Sequence, residues 1–304
     1  MKKKKVITLA VEDSPSSIQH LNIIKTKLES RNYTLELQKI EAPNPSNSKN
    51  LAEYVQKQKQ SIESLHDLIL NSEVDGAAYN MIHAPLTLPG ELILSGTIRQ
   101  DVVRDILLTT DGGSLTNLSS NKIVGISNHR NSLQLKSVRE DLEQEFSFEN
   151  IYSKFQDWFS NNPSSKALIL SSEEFNTYDF SKNTKGFFLP PRTFVPAPCQ
   201  GTFSIISIDD TKSTTNIHNL IDNPRARVET IIEKIISSSL NQNIIQSAGI
   251  HAIVKGEAIT VMIQLFNYPS QKHINLHQDL PIRTYFESAK ELANKLNKMV
   301  SDFD

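Results

Sequence analysis

The chain has 304 residues, more than one compact core usually holds, so two or three domains are expected. Its 38% hydrophobic and 22% charged residues make a globular composition and exclude a disordered one. A net charge of −2 offers no general electrostatic case for nucleic acid or a membrane surface.

Lys2 to Lys5 precede a strand and read as a solvated leader. The apolar run Val6–Val11 is too short for a signal peptide. No segment approaches the roughly 18–20 uninterrupted apolar residues of a transmembrane helix, so the chain reads as cytoplasmic. Its single cysteine, Cys199, excludes an internal disulfide framework and a cysteine-based zinc cluster.

In chain order, Lys5 to Val11 predicts a strand, and Ser14-Pro15 supplies an N-cap and a favourable first helical residue. Ile18, Leu21, Ile24 and Leu28 follow at helical spacing. Leu35 to Ile40 reads as a second strand, and Leu51 to Asn71 as a long helix with Ile62, Leu65 and Ile69 on one face. This alternation predicts an α/β domain with a largely parallel sheet.

A second unit starts near Ile98, with strands at Asp105–Thr109 and Lys122–Ile126. A helix carrying Leu133, Val138 and Leu142 follows, then a short helix at Ile151–Phe159 and a buried strand at Ala167–Leu170. Pro190-Pro191 and Pro196-Ala197-Pro198 mark a turn-rich crossing between domains, and Phe203–Ile208 alternates apolar and polar residues. From about Asn216 the pattern is a helix at Ala226–Leu240, strands at Gly249–Val254 and Ala258–Phe266, and a last helix with Phe286, Ala289, Leu292, Leu296 and Met299. Two strands and two helices predict a small α+β domain, with Ser270–His277 a loop holding a solvated pair, His273 and His277. The eight histidines show no metal-ligand spacing, and there is no P-loop or dinucleotide fingerprint, so no metal site is expected.

Several runs resemble the porphobilinogen deaminase (hydroxymethylbilane synthase) family. Asp75-Gly76-Ala77-Ala78-Tyr79-Asn80-Met81-Ile82-His83-Ala84-Pro85 is similar to D-I-A-V-H-S-M-K-D-V-P. Arg99, Arg104 and Asp105 match R-x-D-P-R-D-A, and Val124 to Asn131 match V-G-T-S-S-L-R-R. Val195-Pro196-Ala197-Pro198-Cys199-Gln200-Gly201 matches L-P-A-V-G-Q-G, and Arg227-Val228, Glu233-Lys234 and Leu240 echo R-V-T-A-E-R and T-R-L. The resemblance implies two periplasmic-binding-protein-like α/β domains facing a cleft, plus a small C-terminal α+β domain that bears a cofactor loop. The implied boundaries are 1–97 with 195–212, 98–194 and 216–304.

The resemblance also shows where the chemistry departs. The family's catalytic aspartate stabilises the positive charge that develops as ammonia leaves a pyrrole. Here the position is His83, which either is structural or serves as a proton shuttle. The cysteine that anchors a dipyrromethane primer is replaced by Ile244, which offers no nucleophile. Cys199 is an alternative anchor, so no cofactor is expected unless it serves. Of the arginines that grip the substrate's carboxylates, Glu12 replaces one, Arg130 is kept beside Asn131, and Lys154 substitutes in part for another. Glu12 and Asp13 would repel a polycarboxylate. Ser127, Arg130, Lys154, Arg99, Arg104 and His83 are the groups expected near a cleft, and Arg99 and Arg104 fit ion-pair roles at the domain crossing equally well.

Three functions follow as expectations. One is a homologue that has lost porphobilinogen polymerisation and keeps a cleft for a small ligand, a pyrrole or tetrapyrrole among the candidates, or for a protein. The second is an active synthase with an unusual site built on His83 and Cys199. The third is a partner subunit for another enzyme of tetrapyrrole biosynthesis.

Overall fold

The structure, a computed structural model, describes residues 5–43, 51–82, 84–85, 88–146, 157–160, 162–177, 184–209, 213–267 and 272–301. The elements run β1 (Lys5–Asp13), α1 (Pro15–Glu29), β2 (Tyr33–Glu41), α2 (Leu51–Leu70), β3 (Gly76–Asn80), β4 (Leu92–Arg99), β5 (Asp105–Thr109) and β6 (Ile123–Ile126). There follow α3 (His129–Val138), β7 (Glu143–Phe146), β8 (Lys166–Ser171), α4 (Ser172–Thr177), β9 (Lys185–Phe188), β10 (Thr202–Ile208), α5 (Ser213–Ile221) and α6 (Pro224–Ser239). The chain closes with α7 (Gln242–Ile245), β11 (Gly249–Lys255), β12 (Ala258–Phe266), β13 (His273–Pro281) and α8 (Tyr285–Ser301).

Two compact units result: Met1–Asp101 with Gly201–Val228, and Val102–Gln200 with Glu229–Asp304. This division joins the second and third expected domains in one unit, places residues 98–101 with the first unit, and moves two further segments. Residues 195–200 belong with the second unit, because Val195 and Gln200 are hydrogen-bonded to Arg130. Residues 216–228 belong with the first, because Ile217 and Ile221 of α5 pack on Gly96 of β4.

The first unit is a five-stranded sheet in the order β2-β1-β3-β10-β4. Its β1 pairs in parallel with β2 and β3, but β10 is antiparallel to both β3 and β4, so the sheet is mixed rather than largely parallel. Ser14 caps α1 as its residue type predicts, its side chain accepting from the Ser17 N–H at 3.1 Å. Leu21, Ile24 and Leu28 of α1 then pack on Leu9, Val11, Phe203 and Ile205. Phe203–Ile208 alternates in sequence yet is buried on both faces as far as Ser207, as befits an inner strand.

The second unit holds two sheets. One has the order β7-β6-β8-β5-β9, with Leu107, Val124, Ile126, Leu135 and Ile169 in the core on one face and Ile106, Leu108, Leu168 and Trp158 on the other. Leu142 lies beyond α3 rather than in it, but its side chain still enters the first of these cores. Residues 151–156 of the expected short helix lie outside the described residues, and 157–160 form a turn. The other sheet is β11-β12-β13, fully antiparallel. His273–His277 is therefore strand and not loop. Ile274 and Leu280 are buried while His273, Asn275, His277 and Asp279 are exposed, a period of two that pairs with β12. The C-terminal α+β part thus has three strands, with α8 on β13.

The β11 edge of the three-stranded sheet is closed by specific contacts. β11 directs the Ile250 N–H to Pro196 O, the Ala252 N–H to the Glu233 carboxylate and the Val254 N–H to the Glu229 carboxylate. Gly249 is required where it stands. A Cβ there would lie 2.5 Å from Val195 O, a backbone atom that cannot move aside cheaply.

Candidate functional site

In open α/β sheets, ligands bind outside the carboxyl ends of parallel strands. In the first unit that edge carries Glu12 and Asp13 of β1 and the turn after β3. The Glu12 carboxylate accepts a hydrogen bond from Ser61 Oγ of α2 at 2.6 Å. Burial pushes its pKa above the usual carboxylate range, against the opposing pull of that hydrogen bond. Asp13 is exposed and paired with Lys39 at 2.8 Å. The two acids therefore act differently: Asp13 is neutralised by a lysine, whereas Glu12 takes up a proton more readily than an exposed glutamate.

A folded-state pKa raised above the unfolded one favours the fold below the unfolded value, and this contribution is lost as pH rises through the folded value. Glu12→Gln keeps the acceptor for Ser61 and removes the ionisation. The variant is expected to be more stable than the parent at neutral pH and no more stable in acid, as read by urea denaturation across a pH series.

His83 lies outside the described residues, but its flanks are defined. The Met81 N–H donates to Thr202 O at 2.9 Å, and the Ile82 N–H donates to Asn80 Oδ1 at 3.0 Å. Ile82 is exposed. Tyr79, where the resemblance has histidine, is buried with its hydroxyl 3.1 Å from His66 Nε2. Burial lowers the His66 pKa and raises that of Tyr79. Arg99 closes β4, half-buried and opposite Thr202 of β10. An open depression of about 490 Å³ at the other end of this sheet is lined by Thr8, Ser72, Glu73 and Asp75.

In the second unit, Ser127 is half-buried at the junction of β6 and α3. Asn128 caps α3 by accepting from the Asn131 N–H at 2.8 Å, and the His129 ring stacks on Phe146 at 4.9 Å, where burial lowers its pKa.

Arg130 is not available to a ligand. Its guanidinium donates to both oxygens of Asp105, at 2.6 and 3.1 Å, and also to Val195 O, Gln134 Oε1 and Gln200 Oε1. The arginine side chain is 5% exposed and that of the aspartate 0%. Asn131 and Gln200 add further donors to Asp105, and Gln134 Nε2 reaches Gln264 on β12 at 2.9 Å. Arg130 is expected from the sequence among the ligand-binding groups, but the carboxylate it holds here is that of Asp105. Arg104 stacks its guanidinium over the Phe188 ring at 4.7 Å. Lys154 lies outside the described residues.

The thiol is sealed in. Cys199 is 0% exposed, with Sγ 3.8 Å from Thr230 O and its N–H donating to Glu233 Oε2 at 2.5 Å. Its φ of +62° is the left-handed region that glycine favours, and the resemblance places glycine there. The other Glu233 oxygen faces the Ala252 N–H and His251 Nδ1, at 2.8 and 3.3 Å. Beside this cluster, burial lowers the Lys234 pKa, opposed by Cys199 and Glu233. Ile244 is 2% exposed within α7, which Asn241 caps. The structure thus corrects the reading of Cys199 as an alternative anchor: a buried sulfur cannot meet an incoming pyrrole. The residues present do not fit a covalently held dipyrromethane.

Sequence reasoning missed the cluster of Glu233, His251 and Cys199. Only the Glu233-Lys234 match hinted at it. Among the described residues no group of three or more His, Cys, Asp or Glu side chains is placed to hold a metal ion. Among the same residues, no helix is long and apolar enough to cross a membrane.

These features define an α/β protein with a buried arginine–aspartate pair and no exposed thiol. The family model described as "Porphobilinogen deaminase, dipyromethane cofactor binding domain" matches residues 7–216, and the chain belongs to the porphobilinogen deaminase family. That membership relates it to tetrapyrrole biosynthesis. A Methanococcoides burtonii protein named "Probable porphobilinogen deaminase" is 25% identical over 240 residues, covering 78% of this chain and 76% of its own. A Halobacterium salinarum protein of the same name is 20% identical, with 95% of each chain covered. A Bacillus pumilus porphobilinogen deaminase is 30% identical over 183 residues, 56% of this chain and 58% of its own. Among solved structures, a Parabacteroides distasonis ABC transporter superposes with a TM-score of 0.42 at 12% identity, covering 77% of this chain and 74% of that one. A methionine-binding protein superposes with a TM-score of 0.37 at 12% identity, covering 71% and 89%. Superpositions this loose carry no argument about function.

Proposed function

We propose that this chain is a porphobilinogen deaminase homologue that no longer polymerises porphobilinogen. It binds a pyrrole-derived molecule, or a protein of the same pathway, without turnover, and works in the cytoplasm. The observation that carries this reading is the burial of the only sulfur nucleophile, Cys199, together with Ile244 at the anchor position. Family chemistry grows the tetrapyrrole on a thioether-linked primer, and no thiol here can form one. Two further features support it. Arg130 is consumed by Asp105, and Glu12 stands where the resemblance places a carboxylate-binding arginine.

The names of the curated relatives favour a second reading, an active deaminase working from a non-covalent primer with His83 as acid–base group. One experiment separates the two. The purified protein is incubated with porphobilinogen, then examined by intact mass and, after oxidation, for porphyrin absorbance. Unchanged mass and no porphyrin are expected. Porphyrin without an adduct would establish the second reading, and a pyrrole adduct on Cys199 would overturn the first. Retention of porphobilinogen on equilibrium dialysis, or co-purification of a pathway enzyme, would then tell ligand from partner.

A further inference from the structure

The first sheet changes its direction of growth at β1. Strand β2 lies on one side of β1 and β3 on the other, both parallel to it, so the crossovers through α1 and α2 run opposite ways along the sheet. Open α/β sheets hold ligands in the crevice at such a switch point, outside the carboxyl ends of the strands. Val11 turns its side chain into the core under α1, and Glu12, one residue on, turns to the opposite face and meets Ser61 of α2. Because Val11 pairs with Ala78, Glu12 stands at the carboxyl end of β1 beside the end of β3.

The Glu12 carboxylate is set for a positive charge that the chain does not supply. Its Oε1 accepts from Ser61 Oγ at 2.6 Å, whereas Oε2 has no partner among the described residues and is not sealed from solvent. The lysines of β2 and α2 are spent elsewhere: Lys39 on Asp13 at 2.8 Å, Lys57 on Glu53 at 3.1 Å and Lys59 on Glu63 at 3.9 Å. Burial raises the pKa of Glu12, and the only opposing influence is the Ser61 hydroxyl, not a cation.

We propose that Glu12 anchors a primary alkylammonium, and that the pyrrole held by this chain is one that still carries its aminomethyl group. The second half of this assignment rests on the pyrrole-binding function proposed above. The geometry favours an ammonium over other cations. A guanidinium is held best by both oxygens of a carboxylate, and here Oε1 is taken. A metal ion needs several ligands, and among the described residues no group of three or more His, Cys, Asp or Glu side chains is placed to hold one. An ammonium needs one charged oxygen and further acceptors. Ser61 Oγ gives its proton to Glu12 and keeps lone pairs for a second ammonium N–H. A pyrrole that has lost its ammonia has no such cation and brings only carboxylates towards Glu12.

The test is equilibrium dialysis of porphobilinogen at neutral pH against the full chain, Glu12→Gln and Asp13→Asn. Beside it, the side-chain carboxyl signal of Glu12 in the parent is followed by NMR during titration with benzylamine and with benzyl alcohol, its neutral counterpart. The parent and Asp13→Asn are expected to retain porphobilinogen alike, and Glu12→Gln at least about tenfold more weakly. Benzylamine is expected to move the Glu12 signal and benzyl alcohol to leave it in place. Equal retention by the parent and a folded Glu12→Gln overturns the ammonium contact and leaves the pyrrole-binding function standing. An equal loss in Asp13→Asn overturns it too, since net charge would then explain the effect. Where the parent retains no porphobilinogen, or Glu12→Gln misfolds, the NMR titration decides. A response to benzylamine alone then upholds the ammonium site, even if the pyrrole-binding function falls, and no difference between the two probes overturns it.

Discussion

Arg130→Leu is expected to lower the stability of the second unit by about 3–5 kcal/mol, read as a fall in the urea midpoint with an unchanged slope. Removing the guanidinium leaves Asp105, which is 0% exposed, without its ion-pair partner and short of two donors, the closest one among them. It also strips a donor from Val195 O, Gln134 and Gln200 at once. A buried pair is costly to break because the surviving charge is left without compensation, even where the intact pair contributes little net. Replacing both members, Arg130→Met with Asp105→Leu, is accordingly expected to recover much of the loss. Recovery in the double variant marks a structural pair. Porphobilinogen retention should be unaffected in any folded member of the series, since Arg130 is spent inside the protein.

The second large effect falls on Glu233→Ala. One carboxylate serves the Cys199 N–H, the Ala252 N–H and His251 Nδ1, all buried. Each buried donor left unsatisfied costs about 1–3 kcal/mol. A combined loss of roughly 3–5 kcal/mol is expected, since water can enter the cavity and relieve part of it. Glu233→Gln, which keeps one acceptor oxygen, should lose markedly less. Differential reactivity of the thiol gives an independent readout. Cys199 in the parent resists a thiol reagent, and the alanine variant labels faster because the segment that buries Cys199 is no longer fastened.

Elements with strong local signals were legible in the sequence. Ser14-Pro15 announced α1, the period of Ala289, Leu292 and Leu296 announced α8, and Ala258–Phe266 was read to the residue as β12. β13 was missed because its exposed face alternates histidine, asparagine and aspartate, which resembles a polar loop until Ile274 and Leu280 are set against β12. β3 was missed for the opposite reason. Gly76-Ala77-Ala78 carries too little side chain to show a period, and it lies inside the sheet because Gly76 has space for no Cβ, with Ile206 O 2.7 Å from where one would be.

The site was legible as a set of departures from a family pattern but not as geometry. Arg130 matched a ligand-binding arginine by position. Its actual partner, Asp105, lies 25 residues earlier on a different element, and no local spacing reports such a pair. The burial of Cys199 is equally non-local, since it follows from Thr230 and Glu233 on α6.

The placement of β10 has a consequence for how the chain is born. This strand lies between β3 and β4, in the interior of the first sheet, yet it is synthesised only after the whole of Val102–Gln200. Until Ile208 has left the ribosome, β3 and β4 have no shared neighbour, and the apolar faces of Ala77, Ala78 and Ile98 stay open. The amino-terminal half therefore waits for a segment far downstream, which reverses the usual order in which the first-made domain folds first. Long-range closure of this kind is slow and exposes unpaired strands meanwhile. A nascent chain stalled before Thr202 is expected to remain protease-sensitive in its first hundred or so residues, and one stalled well past Ile221 to be protected there.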